Sequence, residues 1–408
     1  MCQTETPAQS RWGVIAIAIA AGIVAAVQVG KIPPLITLLQ AELGLSLLAA
    51  GWLVSLFNLT GALFGILGGA TADKLGARRV LLVGLGIMAL AGLAAAFAPS
   101  DPSGVAWLLL CRVIESVAFL SCAVTVPRLI VAAVTPRQRN LAMAAWGSYM
   151  PTGMALAILG APPIADRFGW QGVWIVAAAL ALLCLVAVAW VTGPKRWADA
   201  PSAETAMPWR SLGQAVLRPG PVLMGSCFAL YALQFFAVAS WLPTYLIEVL
   251  GYAPGRAGVA TAIVVAGNAL GNLLAGWLLH RGLRRWWLVV AAFVMMLLCA
   301  AGIFAPSVPE FWKLPLAFAF NLFGGLLPAA LLAGAAGHAP RPAMVGTING
   351  AIVQGANIGS LTGPPAMAIM LAGFGGWAGT YWLMAVCSSL GIGLAVWLGI
   401  VERRGGID

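Results

Sequence analysis

The chain has 408 residues, 62% of them hydrophobic and only 8% charged, with a mean hydropathy of +0.97. No soluble globular domain has that composition, so the sequence reads as a polytopic membrane protein. The net charge of +10 does not point to nucleic acid, because the basic residues sit in short loops between apolar runs, where they set topology.

A membrane helix needs roughly 20 apolar residues. About twelve such runs follow one another, near 13–38, 46–70, 79–98, 104–134, 140–164, 170–193, 221–249, 256–279, 286–306, 314–337, 343–372 and 377–401. The first is too long for a cleaved signal and is read as a span. The connections are short except 194–220, which holds Pro194, Pro201, Pro208 and Pro219. Its last part, Pro208–Leu217, suits an interfacial helix with Trp209 and Leu212 at the lipid boundary. The expected organisation is a bundle over 1–193, a cytoplasmic linker over 194–220 and a second bundle over 221–408. With both termini inside, Arg11, Lys74, Arg78, Arg79, Arg128 at the inner end of its helix, Arg137, Arg139, Lys195, Arg196, Arg210, Arg218, Arg281, Arg284, Arg285, Arg341, Arg403 and Arg404 fall on the cytoplasmic side. Arg167, Arg256 and Lys313 fall outside. That asymmetry, with no matching acidic bias, is the positive-inside pattern.

The two halves repeat each other. Ala50-Gly51 recurs as Ala257-Gly258, Gly69 as Gly276, and Gly169-Trp170-x-Gly172 as Gly376-Trp377-x-Gly379, all at one constant offset. Pro162-Pro163 and Pro364-Pro365 correspond at a slightly different offset. Parallel repeats of six spans, with a substrate site near the midplane, are one known transporter architecture. Seven cysteines show no paired spacing and six lie in apolar runs, so neither a disulfide framework nor a metal site is expected, and no cofactor.

Between the second and third runs lies Gly69–Leu81, GATADKLGARRVL. This stretch resembles the signature loop of the major facilitator superfamily, with Gly69, Ala72, Asp73, Lys74, Gly76, Arg78 and Leu81 in register and Thr71 and Ala77 departing. In the second half the loop is degraded, with His280 in the place of Asp73. Leu108-x-x-x-Arg112-x-x-Glu115-Ser116 resembles the family's fourth-span motif, with Ser116 replacing the usual Gly. Trp146–Gly160 lacks the G-P-x-x-G-G of drug/proton antiporters. Lys31-Ile32-Pro33-Pro34-Leu35 resembles the small-anion branch that carries cyanate and nitroimidazoles. The resemblance implies an all-α membrane protein of twelve transmembrane helices in two six-helix pseudo-repeats. It implies a gate built from Gly69, Asp73, Gly76 and Arg78, with Asp73 facing the start of the eleventh run near Thr347.

Charges inside spans are functional candidates. Lys31, Arg112 and Glu115 sit deep. Arg112 and Glu115 are three apart on one helix and can pair, which leaves Lys31 without a fixed partner and the cluster at net +1. A small anion would supply the missing charge; the alternative is that Lys31 snorkels to outer water. Glu115 is either a permanent partner of Arg112 or, where transport is proton-linked, the proton carrier. Pro33 and Pro34 lack N–H groups and should bend the helix beside Lys31. Gln28, Tyr149, Tyr231, Gln234 and Asn357 are the neutral residues chosen to complete a substrate site, although intramembrane amides also serve as bonds between helices.

No HExxH, GxSxG or paired intramembrane carboxylate is present, so an enzyme is not expected. The reading is a secondary transporter moving a small anionic solute by alternating access, with protons as a candidate coupling ion. It is expected as a monomer in a bacterial inner membrane, with both termini cytoplasmic and no nucleic-acid partner. The alternative is proton-coupled efflux of hydrophobic or cationic compounds.

Overall fold

The computed structural model describes residues 10–65, 75–101, 103–193, 209–341 and 344–406, and among these it is helical with no strand. Among the described residues, ten stretches are long and apolar enough to cross a membrane. They are α1 (Trp12–Leu43), α2 (Leu47–Gly65), α3 (Ala77–Ala96), α4 (Ser103–Ala133), the run Ala145–Val191, α7 (Pro219–Glu248), α8 (Pro254–His280), α9 (Arg285–Phe304), α10 (Glu310–His338) and α12 (Gly376–Gly405). The run Ala145–Val191 is two helices merged across Gly169, whose φ of 67° and ψ of 176° are non-helical. We label its parts α5, before Gly169, and α6, after it. Between α10 and α12 lies α11 (Val345–Gly373), 29 residues long. It is less apolar than the other ten because Asn349, Gln354, Asn357, Ser360, Thr362 and a series of glycines dilute its apolar residues. The twelve expected spans are therefore present, the ends that fall among the described residues lying within a few residues of the apolar pattern; the end of the second, near residue 70, lies outside them.

Contacts divide the chain into two compact units. One is Met1–Leu45 with Leu56–Glu204; the other is Ser46–Ser55 with Thr205–Asp408. Ser46–Ser55 joins the second unit because the start of α2 packs on α11.

Within the first unit, α1 packs on α5 and α6, α3 on α4, and α3 on α6. Within the second, α7 packs on α11, α9 on α10 and on α12. The equivalences extend to the backbone. Gly169 and Gly376, paired by the sequence repeat, both have φ of 67°, a left-handed value that glycine adopts without a Cβ clash. Each precedes the last span of its half, where the chain must turn sharply between antiparallel helices.

The α7–α11 seam is a backbone-to-backbone contact. A Cβ on Gly355, Gly359 or Gly363 would collide with the backbone of Gly225, Ala229 or Leu233 respectively. These three glycines are four residues apart and so lie on one face of α11. With no hydrophobic drive between helices in lipid, such close approach and its dispersion contacts are what hold spans together. Trp241 adds an indole N–H bond of 3.0 Å to the Pro364 carbonyl.

The connector helix expected at the end of the linker is present as Trp209–Val216. Six cysteines, Cys111, Cys122, Cys184, Cys227, Cys299 and Cys387, are free and buried.

Candidate functional site: a buried charge cluster in the first unit

The α-helical part of α1 runs from Trp12 to Gly30 and stops there. A 3-10 turn over Pro33–Leu35 follows, then a short helix, Ile36–Leu43. Pro33 and Pro34 cannot donate backbone hydrogen bonds, so the helix breaks where the sequence predicted a bend. Lys31 is the residue that closes the helix. A cation at a helix C-terminus meets the negative end of the dipole. The Gln28 carbonyl, in the last turn, accepts a bond from Arg112 Nη1 at 3.0 Å.

Four polar side chains meet at this break. Arg112 Nη1 pairs with Glu115 Oε2 on the same helix, α4. Lys31 Nζ lies 3.1 Å from Glu115 Oε1 and donates to Gln28 Oε1 at 2.6 Å. Gln28 Nε2 donates to the Ala177 carbonyl of α6 at 3.1 Å. Lys31 sits over the Trp174 ring, 4.8 Å from its centroid, and Arg112 sits over Phe57 at 5.6 Å; both geometries favour a cation. Lys31 and Glu115 are each 1% exposed and Arg112 is 0% exposed. Water therefore contributes nothing visible to their solvation, and desolvation costs several kcal/mol per ion.

Among the described residues two cations share one carboxylate, which is a formal surplus of one positive charge for these three side chains. The Trp174 indole N–H, buried beside it, has no acceptor among the described residues, and neither has that of Trp170. Trp170 and Trp174 pack edge to face at 5.4 Å. A surplus cation with an unused N–H donor suits a group that brings both negative charge and lone pairs.

The direct pair Arg112–Glu115 was legible from its spacing. The solitude of Lys31 was not correct: Glu115 turns one oxygen to each cation, and Lys31 neither stands alone nor snorkels to water. Trp174 and Ala177 were missed; Trp174 lies one helical turn after Trp170, on the same face of α6.

The other chosen residues lie elsewhere. Tyr149 stacks on Trp146 with ring centroids 4.0 Å apart. Tyr231 and Gln234 are buried in the second unit. The Tyr231 hydroxyl accepts from Asn268 Nδ2 at 2.7 Å, and Gln234 Oε1 accepts from Ser388 Oγ at 2.8 Å. These bonds tie α7 to α8 and to α12. Asn357 is half-buried on α11. Of the gate residues, Gly69 and Asp73 lie outside the described residues. Gly76 has φ of 87° and precedes α3. Arg78 Nε donates to Thr192 Oγ1 at 3.0 Å, joining the start of α3 to the end of α6.

Two further buried charged groups were missed. Lys313, expected in an outer loop, lies inside α10, is 6% exposed and donates to the Ile303 and Ala305 carbonyls at 3.0 and 3.1 Å. It caps the end of α9, whose last carbonyls have no helical partner. Glu115 is also not the only buried carboxylate. Glu402 near the end of α12 is 1% exposed and takes Arg285 Nη2 at 3.0 Å and His338 Nε2 at 3.2 Å.

The profile of the Major Facilitator Superfamily matches residues 16–353 and 248–406. The chain belongs to this superfamily. A solved structure titled as a bacterial homolog of the human lysosomal transporter Spinster, inward-facing and occupied, matches with a TM-score of 0.77 over 97% of both chains. At 17% identity that likeness establishes the shared fold. Among curated relatives, the 3-(3-hydroxy-phenyl)propionate transporter of Escherichia coli K12 is 28% identical over 57% of this chain, and the match spans 56% of that transporter's length. The "Probable nitrate/nitrite transporter" of Mycobacterium tuberculosis is 27% identical over 82% of this chain and 83% of its own. The puromycin resistance protein of Streptomyces alboniger is 26% identical over 82% of this chain and 73% of its own. This member of the superfamily is thus a multi-pass membrane protein whose relatives transport small molecules. Some of those relatives are named for anions and some for drug resistance.

Proposed function

We propose that the chain is a secondary transporter of a small anionic solute, working by alternating access. The observation that carries the reading is the buried cluster in which Lys31 and Arg112 share Glu115 beside the unused indole N–H of Trp174. An anion would restore neutrality there, and the low dielectric of a closed site strengthens its attraction. The relatives named for nitrate/nitrite and for a phenylpropionate support the charge of the cargo. Because the cluster is closed to solvent in this structure, cargo would reach it when the surrounding helices part. Glu115 is committed to both cations, and we assign it the role of counter-charge. A bacterial inner membrane with both termini cytoplasmic is the setting we propose, with the gate near Asp73 on the cytoplasmic side.

The test is uptake into proteoliposomes. Nitrate, cyanate and short carboxylates are offered against a neutral solute and an organic cation. Lys31→Gln should abolish anion uptake or raise KM by about 30-fold or more, the equivalent of losing one buried charged contact worth roughly 2–5 kcal/mol; Lys31→Arg should keep part of it. Unchanged anion uptake by Lys31→Gln would overturn the reading.

A second reading, export of hydrophobic or cationic compounds, has the puromycin resistance relative in its favour. It predicts that the organic cation is moved and the anions are not. The surplus positive charge around Glu115 argues against it, since a cationic cargo would meet repulsion there.

A further inference from the structure

A groove of about 680 Å3 runs between α8 and α10 in the second unit. Its lining includes Val259, Ile263, Pro315 and Phe318, with Tyr252 and Arg256 at the N-terminal end of α8. Arg256, Val259, Ala260, Ile263 and Val264 recur with helical spacing along one face of α8. From Arg256 to Val264 that face extends about 12 Å along the helix axis. Gly255 and Ala260 on α8 and the ring of Pro315 on α10 leave the trough between the helices unfilled. Val259 and Ile263 are 46% and 58% exposed, so the trough opens on the outside of the helix pair.

Of the ten residues lining the groove, Arg256 is the one with a charge. Its guanidinium is held over the Tyr252 ring, 5.1 Å from the centroid, which orients the fork without using its donors. An apolar channel with one cation at its end has the layout of a phospholipid: acyl chain below, phosphate above. Arginine meets phosphate with two parallel hydrogen bonds, and Tyr is at home at the headgroup level.

We propose that this groove is a binding site for one anionic phospholipid, with the headgroup phosphate on Arg256 and an acyl chain along Val259, Ile263 and Phe318. On the proposed topology it lies in the outer leaflet. The site is separate from the cluster around Lys31, and it holds whether or not the cargo is an anion.

The experiment is native mass spectrometry of the full chain released from nanodiscs containing equal amounts of phosphatidylglycerol and phosphatidylcholine. The wild type should retain phosphatidylglycerol about fivefold better, the selectivity expected from one basic residue at a membrane surface. Arg256→Gln should bring the two lipids to parity. Ile263→Trp, which fills the trough from a lipid-facing position, should lower retention of both. No preference in the wild type overturns the proposal, and so does a preference that survives both substitutions. A dimer that dissociates in Ile263→Trp would also overturn it, by making the groove a contact between copies.

Discussion

Arithmetic of charge decides what each side chain in the cluster can lose. Removing Lys31 leaves Arg112 and Glu115 as a complete pair, so Lys31→Gln should fold normally while losing anion uptake. Removing Glu115 takes from two buried cations the carboxylate they share. Breaking a buried pair from one side costs about 3–5 kcal/mol, so Glu115→Gln should lower the unfolding midpoint sharply in detergent. Combining it with Lys31→Gln should recover much of that loss, because one cation then remains where there were two. Thermal unfolding of the four proteins gives the coupling directly. Equal destabilisation by the two single substitutions would show that the shared carboxylate is not what matters.

Elements are held by close approach and by their ends. Gly359→Leu should push α11 off α7, because the added side chain meets the backbone of Ala229. Overpacking of this kind costs about 1–3 kcal/mol, and here the obstacle is main chain, which cannot rotate away. Gly346→Ala near the start of the same helix meets open space and should be neutral to slightly stabilising, since Ala favours helix over Gly, so thermal unfolding of the pair separates packing from helix propensity. At the start of α4, Asp101 accepts from the Ser103 N–H at 2.7 Å and from the Ser103 hydroxyl. Those bonds hold the Asp101 carboxyl below its usual range. A depressed folded-state value means that the contribution is present above the unfolded value and fades as pH falls through the folded one. Asp101→Asn should flatten the acid limb of stability slightly, read by unfolding at stepped pH. Half-buried Arg285 and the buried His338 and Glu402 tie the ends of α9, α10 and α12 together.

For the whole molecule, the Lys/Arg asymmetry predicts which ends face the cytoplasm. The six described native cysteines are buried, so background labelling from them should be low. A cysteine replacing exposed Ala253, before α8, should react with a membrane-impermeant maleimide in intact cells. One replacing exposed Leu283, before α9, should react only after permeabilisation. The reverse pattern would invert the topology and move the Arg256 groove to the inner leaflet.

Twelve spans, their order and the two-fold repetition were legible because apolar run length is a local property, and a bilayer leaves the backbone few other choices. Gly169 and Gly376 match in the sequence alone, since a turn that needs a positive φ leaves the same residue in both halves. The deep positions of Lys31, Arg112 and Glu115 were legible for a similar reason: a charge in an apolar run stands out. Partnership was not legible. Whether Glu115 serves one cation or two depends on α1 lying against α4 at the height where α1 breaks. That Lys313 and Glu402 are buried depends on which helix ends come to rest beside them. The α11 glycines could be counted in the sequence, but only their docking on Gly225, Ala229 and Leu233 shows what they are for. The sequence by itself determined the elements and where charge enters the membrane. Tertiary structure decided which charges meet, because the cost of a buried ion is set by neighbours far away in the chain.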